Sequence, residues 1–298
     1  MSSFSYVALI TPKSKISVAM SICEGTVLIG ILLSNLMSGP VIDATNLSTL
    51  AYISAGIAIL PLIIVSIFMT DATSVSTVQY TWRDVIGVGH LLDAFRCIFK
   101  KRDKHSRLLL NLAFAAYTLV FIAVNGSMSD NFLYFVKERG MSLTEYSIFY
   151  SILSACKGLG GPAILWLINR FINPHKNNIL IGACASIAIG FIILSIDSIP
   201  YNAWIGCIFF CTQTIFFGEI RSFQTSLCDK DELGKLFAYD ALIQMTIGTV
   251  STVTFKMLYS ATVAVWAGVY LLLCGVFCFI DMIVVTLIDR IQIWDSVE

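Results

Sequence analysis

Residues 179–196 read ILIGACASIAIGFIILSI, eighteen consecutive positions without a charge. A helix of about 20 apolar residues crosses the roughly 30 Å hydrocarbon core of a bilayer, and helical pairing is required there because unpaired backbone amides are prohibitively costly in lipid. Seven further runs have that character, at 16–39, 48–69, 108–136, 146–168, 201–220, 236–255 and 264–288. The reading is an all-α integral membrane protein of eight transmembrane helices.

Composition agrees. Apolar residues make up 57% of the 298 and charged residues 13%, too few to coat a soluble domain of this length. Nineteen basic residues balance nineteen acidic ones, so neither a nucleic-acid footprint nor an acidic tail is present. With three histidines and no HExxH, CxxC, Walker loop or dinucleotide fingerprint, an enzyme reading has no foothold, and no cofactor or metal is implied. Residues 1–15 lack the basic region and cleavage site of a signal peptide. All nine cysteines fall in spans or on one side of them. Cys207 with Cys211 and Cys274 with Cys278 each share a helix face, a spacing that suits packing better than a soft metal.

The basic residues orient the chain. Fifteen of the nineteen, from Lys13 and Lys15 through the 83–107 cluster to Arg290, fall on the side of both termini; Lys137, Arg139 and Lys256 fall on the other, and Lys157 lies within a span. Positive charge collects on the cytosolic side, so both termini are expected there. Asn46-Leu47-Ser48 then lies outside as a glycosylation sequon close to the membrane, and both its use and its disuse stand open.

The longest polar stretch, residues 70–107, separates a two-span block, 1–69, from a six-span block, 108–298. Within it, VIGVGHLLDAFRCIF at 85–99 has helical apolar spacing and KKRDKHSR follows, which suggests an amphipathic helix lying on the inner leaflet with a basic tail attracted to anionic lipid. Transporters that pair two six-helix halves carry such a loop between the halves. Against that plan the C-terminal half is complete and the N-terminal half has only its last two spans, so the chain is expected to lack four helices at its front.

Ionisable groups inside a span are costly and so are functional candidates. Glu24 lies about 12 Å into its helix at a rise of about 1.5 Å per residue. Desolvation there penalises the charged form until the carboxyl exchanges protons near neutral pH, as proton coupling requires; a structural hydrogen bond is the alternative. Lys157, in ACKGLGGP, needs a carboxylate or an anionic substrate, and Asp281 is a candidate partner. Asp240, four residues into its expected span, reads as interfacial. Glu219 and Arg221 close the sixth span, where snorkelling is cheap. Asn125-Gly126-Ser127 interrupts the third span before Asp130, a composition able to break the helix and line a cavity.

Four stretches carry a family resemblance: MSICEG at 20–25, LLDAFRCIFKKR at 91–102, VNGSMSD at 124–130 and EIRSFQTSLCDKDELGKLFA at 219–238. Together they resemble the proton-coupled folate transporter and thymic stromal cotransporter family of the major facilitator superfamily. The resemblance covers nearly the whole chain, aligned to the fifth through twelfth helices of that fold. It implies that Glu24 matches a fifth-helix glutamate linked to proton coupling. Arg221 matches a tenth-helix arginine implicated in proton and substrate handling, and Asp130 matches a seventh-helix acid. Asn125 stands where that family has a protonated histidine; asparagine does not titrate, a departure from the folate pattern.

The expected function is therefore secondary transport, with a proton gradient driving symport of a small organic, anionic solute in a plasma or endolysosomal membrane. Its partners are membrane lipid, the solute and protons. Proton coupling falls to Glu24 and Asp130, and charge balance to Lys157, Arg221, Asn125 and Asp281. The alternative is a non-transporting isoform or membrane scaffold. The orientation makes a first prediction. Protease added to the cytosolic face should remove tags from both termini and spare one inserted at 139–141; the opposite pattern would overturn the assignment.

Overall fold

The computed structural model describes residues 3–12, 15–44, 47–68, 89–102, 105–172, 175–196 and 201–297. Among these the chain is helical throughout, without a strand. The helices are α1 (Ser3–Ile10), α2 (Ile16–Ala44), α3 (Leu47–Phe68), α4 (Gly89–Phe99), α5 (Ser106–Leu133), α6 (Leu143–Phe171), α7 (Lys176–Ser195), α8 (Asn202–Phe209), α9 (Gln213–Ser226), α10 (Leu233–Thr262) and α11 (Val269–Val297). Seven helical stretches are long and apolar enough to cross a membrane: Ile16–Leu36, Ser106–Glu138, Leu143–Phe171, Lys176–Ser195, Asn202–Ser226, Lys230–Thr262 and Val269–Ile293. Asn46 and all of residues 69–88 lie outside the described residues.

Lipid gives no hydrophobic drive between helices, so close approach through small residues decides which ones pair. α2 packs against α6 and α9, and α11 against α5 and α7. The α2–α6 seam is built on Gly25 and Gly158. A Cβ on Gly158 would meet the Gly25 carbonyl oxygen at 3.1 Å and Leu28 and Ile29 at 3.3 Å, and one on Gly25 would overlap the Gly158 carbonyl. Pro162 inside α6 has no N–H to donate to that same carbonyl, four residues back. The freed oxygen faces Gly25, at the place a Cβ would otherwise occupy.

Local chemistry sets the ends. α5 runs on through a π-helical turn, Tyr134–Glu138, and Gly140 takes a left-handed φ of +66° that reverses the chain. Ser142 then opens α6 with a capping box: its Oγ accepts from the Glu145 amide and the Glu145 carboxylate accepts from its own amide. The expected single span at 201–220 is instead two helices joined by a 3-10 turn, Phe210–Thr212, and it reaches Ser226. The last span starts at Val269 rather than at 264, because residues 263–268 form turns.

Two expectations are corrected. Helix α5 does not break at Asn125-Gly126-Ser127. The Ser127 and Ser129 hydroxyls donate to carbonyls three residues back, Val124 and Gly126, at 2.7 Å each, and the missing Cβ of Gly126 admits the Phe255 ring. Helix α4 does not rest on lipid alone. Ala94, Cys97 and Ile98 are buried, and the helix packs on α10 with Phe95 edge-on to Tyr239 at 5.2 Å. Its basic tail meets protein: Lys100 Nζ and Arg102 Nη2 reach the two oxygens of Glu232 at 2.8 and 2.7 Å. That hydrogen bond holds the Lys100 ammonium above its usual range. Leu92 and Phe99 remain exposed on the other side of α4. Beside the tail, burial pushes the Cys228 thiol up to about 12, leaving it protonated and a poor nucleophile.

Gly158→Leu should force α2 and α6 apart and lower stability by about 1–3 kcal/mol, the usual result of overpacking a tight contact. Gly182→Leu, where nothing lies within 4 Å of an added Cβ, should change little. Thermal unfolding of the two variants in detergent reads the difference, and equal midpoints would contradict the seam.

Candidate functional site

Arg221 lies on α9 five residues from its end, where a snorkelling side chain would reach water, yet it is 2% exposed. Every face of its guanidinium is occupied. Nε donates to Asp240 Oδ2 at 3.1 Å, Nη2 donates to the Tyr117 hydroxyl at 2.9 Å, and Nη1 is hydrogen-bonded and ion-paired to Glu24 Oε1. The Phe4 ring covers the plane with its centroid 3.9 Å from Cζ, and the Tyr117 ring lies at 5.3 Å. Gln244 Nε2 donates to Asp240 Oδ2 at 3.2 Å, while Asp240 Oδ1 has no partner among the described residues.

Five helices supply this cluster: α1 with Phe4, α2 with Glu24, α5 with Tyr117, α9 with Arg221 and α10 with Asp240. Glu24 precedes residues 70–107 and Arg221, Asp240 and Tyr117 follow them, so the ion network joins helices from before and after that stretch. Small residues again allow the approach. A Cβ on Gly218 would strike the backbone and hydroxyl of Ser21. One turn earlier on α2, the Ser17 hydroxyl donates to Glu219. Ser17, Ser21 and Glu24 follow one another at three- and four-residue steps and so share a face of α2; that face meets α9.

One positive charge here faces two negative ones. Removing charges from water costs several kcal/mol per ion, and only good geometry with full hydrogen bonding offsets it. A single proton on either carboxyl would bring the cluster to neutrality.

The other sequence candidates are not gathered here. Asp130 is buried thirteen residues further along α5 than Tyr117, roughly 20 Å away at the helical rise, with its Oδ2 2.7 Å from the Ser129 Oγ. Asn131 beside it accepts from Tyr270 at 3.1 Å. Asn125 donates to the Gly248 carbonyl at 2.9 Å and to Ser251 at 3.1 Å, tying α5 to α10. Lys157 does not pair with Asp281. Its Nζ points at the Phe210 ring, 4.9 Å from the centroid, and Asp281 accepts from the Cys184 thiol at 3.1 Å between α7 and α11. The Lys157 carbonyl accepts from Thr214 Oγ1 at 3.0 Å.

Asp240 corrects the interfacial reading. The helical stretch begins near Lys230 rather than at 236, which places Asp240 two turns deeper and 2% exposed. A charged loop running directly into an apolar helix, KDELGKLFAYD, was the available signal. Tyr117 and Phe4 had none, since an aromatic in an apolar helix reads as packing.

A family model described as Major Facilitator Superfamily matches residues 1–252. Among curated proteins, the chain is similar to "Probable peptidoglycan muropeptide transporter SLC46" of Drosophila melanogaster, at 23% identity over 261 residues, covering 83% of this chain and 49% of that protein. The chain thus spans about half the length of this relative.

Arg221→Met strands the buried Asp240 carboxylate and the partly buried Glu24 carboxylate and should cost about 3–5 kcal/mol, the usual result of removing one member of a buried pair. Asp240→Asn, which leaves Arg221 with Glu24 and Tyr117, should cost clearly less. Unfolding in detergent by a ramp of temperature or sodium dodecyl sulfate ranks the two, and the reverse order would refute the geometry.

Proposed function

We propose a transport reading whose premise is that the chain belongs to the major facilitator superfamily. In this reading the chain forms part of a proton-coupled symporter for an organic, anionic solute, and the block 1–69 rocks against the block 108–298 about the linker. Leu47–Phe68 serves as an eighth span beside the seven described above. The observation that carries the proposal is the buried Arg221 shared by Glu24 on one block and Asp240 on the other.

With both carboxylates ionised, the network holds the blocks together at the basic end of the helices. Protonation of Glu24 removes one ion pair across the seam and leaves Arg221 with Asp240 and Tyr117, so the blocks can part there. Solute binding and proton uptake are then linked through one arginine, and each favours the other by the same factor. Asp130, nearer the opposite end of α5, gates on that side. Asn125 holds α5 to α10 without titrating. Lys157 and Asp281 take structural roles, the first as a cation against an aromatic face and the second as a helix-to-helix contact.

An anionic solute suits a pathway whose inner end, in the orientation read from the basic residues, carries the excess of positive charge. The printed name of the fly relative, a probable muropeptide transporter, offers one solute of that class, since muropeptides carry carboxylates. Folate, the solute suggested by the resemblance, is a second.

Uptake of a labelled muramyl peptide and of folate is measured at acidic and neutral outer pH, in vesicles carrying the transporter that contains this chain. The native protein should take up solute faster at acidic pH, and Glu24→Gln, which mimics the protonated state, should lose that dependence. A Glu24→Gln protein whose uptake retains the native pH profile would remove Glu24 from coupling.

A further inference from the structure

A cavity that Arg221 does not line lies at the basic end. There α1, the start of α2 and the ends of α7, α9, α10 and α11 enclose a cavity of about 740 Å³, within the range of small-molecule sites. Its inner wall is apolar, formed by Ala8, Leu9, Ile16, Leu180, Phe223 and Leu233. The rim carries three bases, His175, Lys176 and Lys230, all solvent-exposed. Among the described residues none of the three forms an ion pair. Two acids also line it. Glu219 is buried and accepts the Ser17 hydroxyl, and Asp229 adjoins Lys230 on the rim. Asn177 fixes one corner by donating to Asp289 at 2.6 Å and to Gln292 at 2.8 Å.

The height of this cavity along the helices matters. The membrane-crossing stretches around it begin at Ile16 and Lys176 and end at Ser226, which puts the rim at the boundary between hydrocarbon and water. Ile10, which lines the cavity, is 55% exposed, so an apolar side chain lies at the opening. Basic pockets between transmembrane helices at this level suit phosphorylated headgroups.

We propose that this cavity binds the phosphate of an anionic amphiphile, held by Lys176, Lys230 and His175, with an apolar chain along Ile10, Ile16 and Phe223. A phospholipid of the surrounding leaflet is the source that the position favours. The ligand touches α1 and α2 on one side and α7, α9 and α10 on the other, the same two sides that Arg221 joins. Its binding therefore stabilises the arrangement in which the basic end is closed. This inference does not depend on what the protein transports.

The test uses the whole chain, purified in neutral detergent, with thermal unfolding and native mass spectrometry as readouts. The probes are phosphatidylglycerol, phosphatidylcholine and inorganic phosphate. Phosphatidylglycerol should raise the unfolding midpoint and remain bound in the mass spectrum, and phosphatidylcholine should do neither. Lys176→Gln with Lys230→Gln should weaken phosphatidylglycerol binding about tenfold or more, from the contribution of each basic group near an anionic surface. Lys137→Gln with Lys256→Gln, at the other end of the helices, should leave it unchanged. A shift with inorganic phosphate alone, lost in the Lys176/Lys230 variant, would assign the same site to a soluble phosphate instead of a lipid. No shift with either anion, or an equal shift in both double variants, overturns the proposal.

Discussion

A guanidinium that is 2% exposed, with carboxylates of two different helices against it, constrains everything packed around it. Taken out of water, such a charge is tolerable only if its donors are satisfied. Arg221 meets that condition with groups drawn from before and after the linker. Glu24 on α2, Tyr117 on α5 and Asp240 on α10 must each arrive at the right depth. The register of α2 against α9 follows from this, as does the position of α1, whose Phe4 covers the guanidinium plane.

The ion network needs backbones close enough for short side chains to meet, and glycine supplies that. Gly218 lies against Ser21 and Gly158 against Gly25, so α2 fits between α6 and α9 with little side-chain volume between. The Pro162 that frees the Gly158 carbonyl sits at the same seam. Dispersion contacts along it would hold α2 with or without the charges, because apolar association has no hydrophobic drive in lipid and rests on close packing. The charges add something packing lacks: a stabilisation that depends on protonation. In the proposed mechanism, a seam that is tight through glycine and conditional through Arg221 can open without unfolding either block.

Much of this was legible in the sequence, and the reasons are physical. Uncharged runs of bilayer length can hardly be anything but spans, and 179–196 matches the helix Lys176–Ser195 within a few residues. Glu24 was singled out because a charge inside a span needs a reason, whereas Arg221 read as a snorkelling end and became a candidate only through the family resemblance; that the two are partners depended on tertiary packing. Misplacing one helix start hid Asp240. The polar run Asn125-Gly126-Ser127 looked like a break because composition does not show that serine hydroxyls can turn back onto their own helix. Lys157 and Asp281 were both costly charges, and pairing them was the economical guess. The fold instead gives each its own local neighbour, an aromatic ring and a thiol. The linker helix was found by its apolar period, but periodicity does not say whether lipid or protein covers the apolar face.

The central claim is that Glu24 and Arg221 interact directly across the seam between the two blocks. A double-mutant cycle with Glu24→Gln, Arg221→Gln and the pair, read by unfolding in detergent at neutral pH, measures that interaction alone. The account predicts a coupling of about 1 kcal/mol or more, within the range for residues in one ion network. Additivity within about 0.3–0.5 kcal/mol, as for distant independent sites, would contradict it.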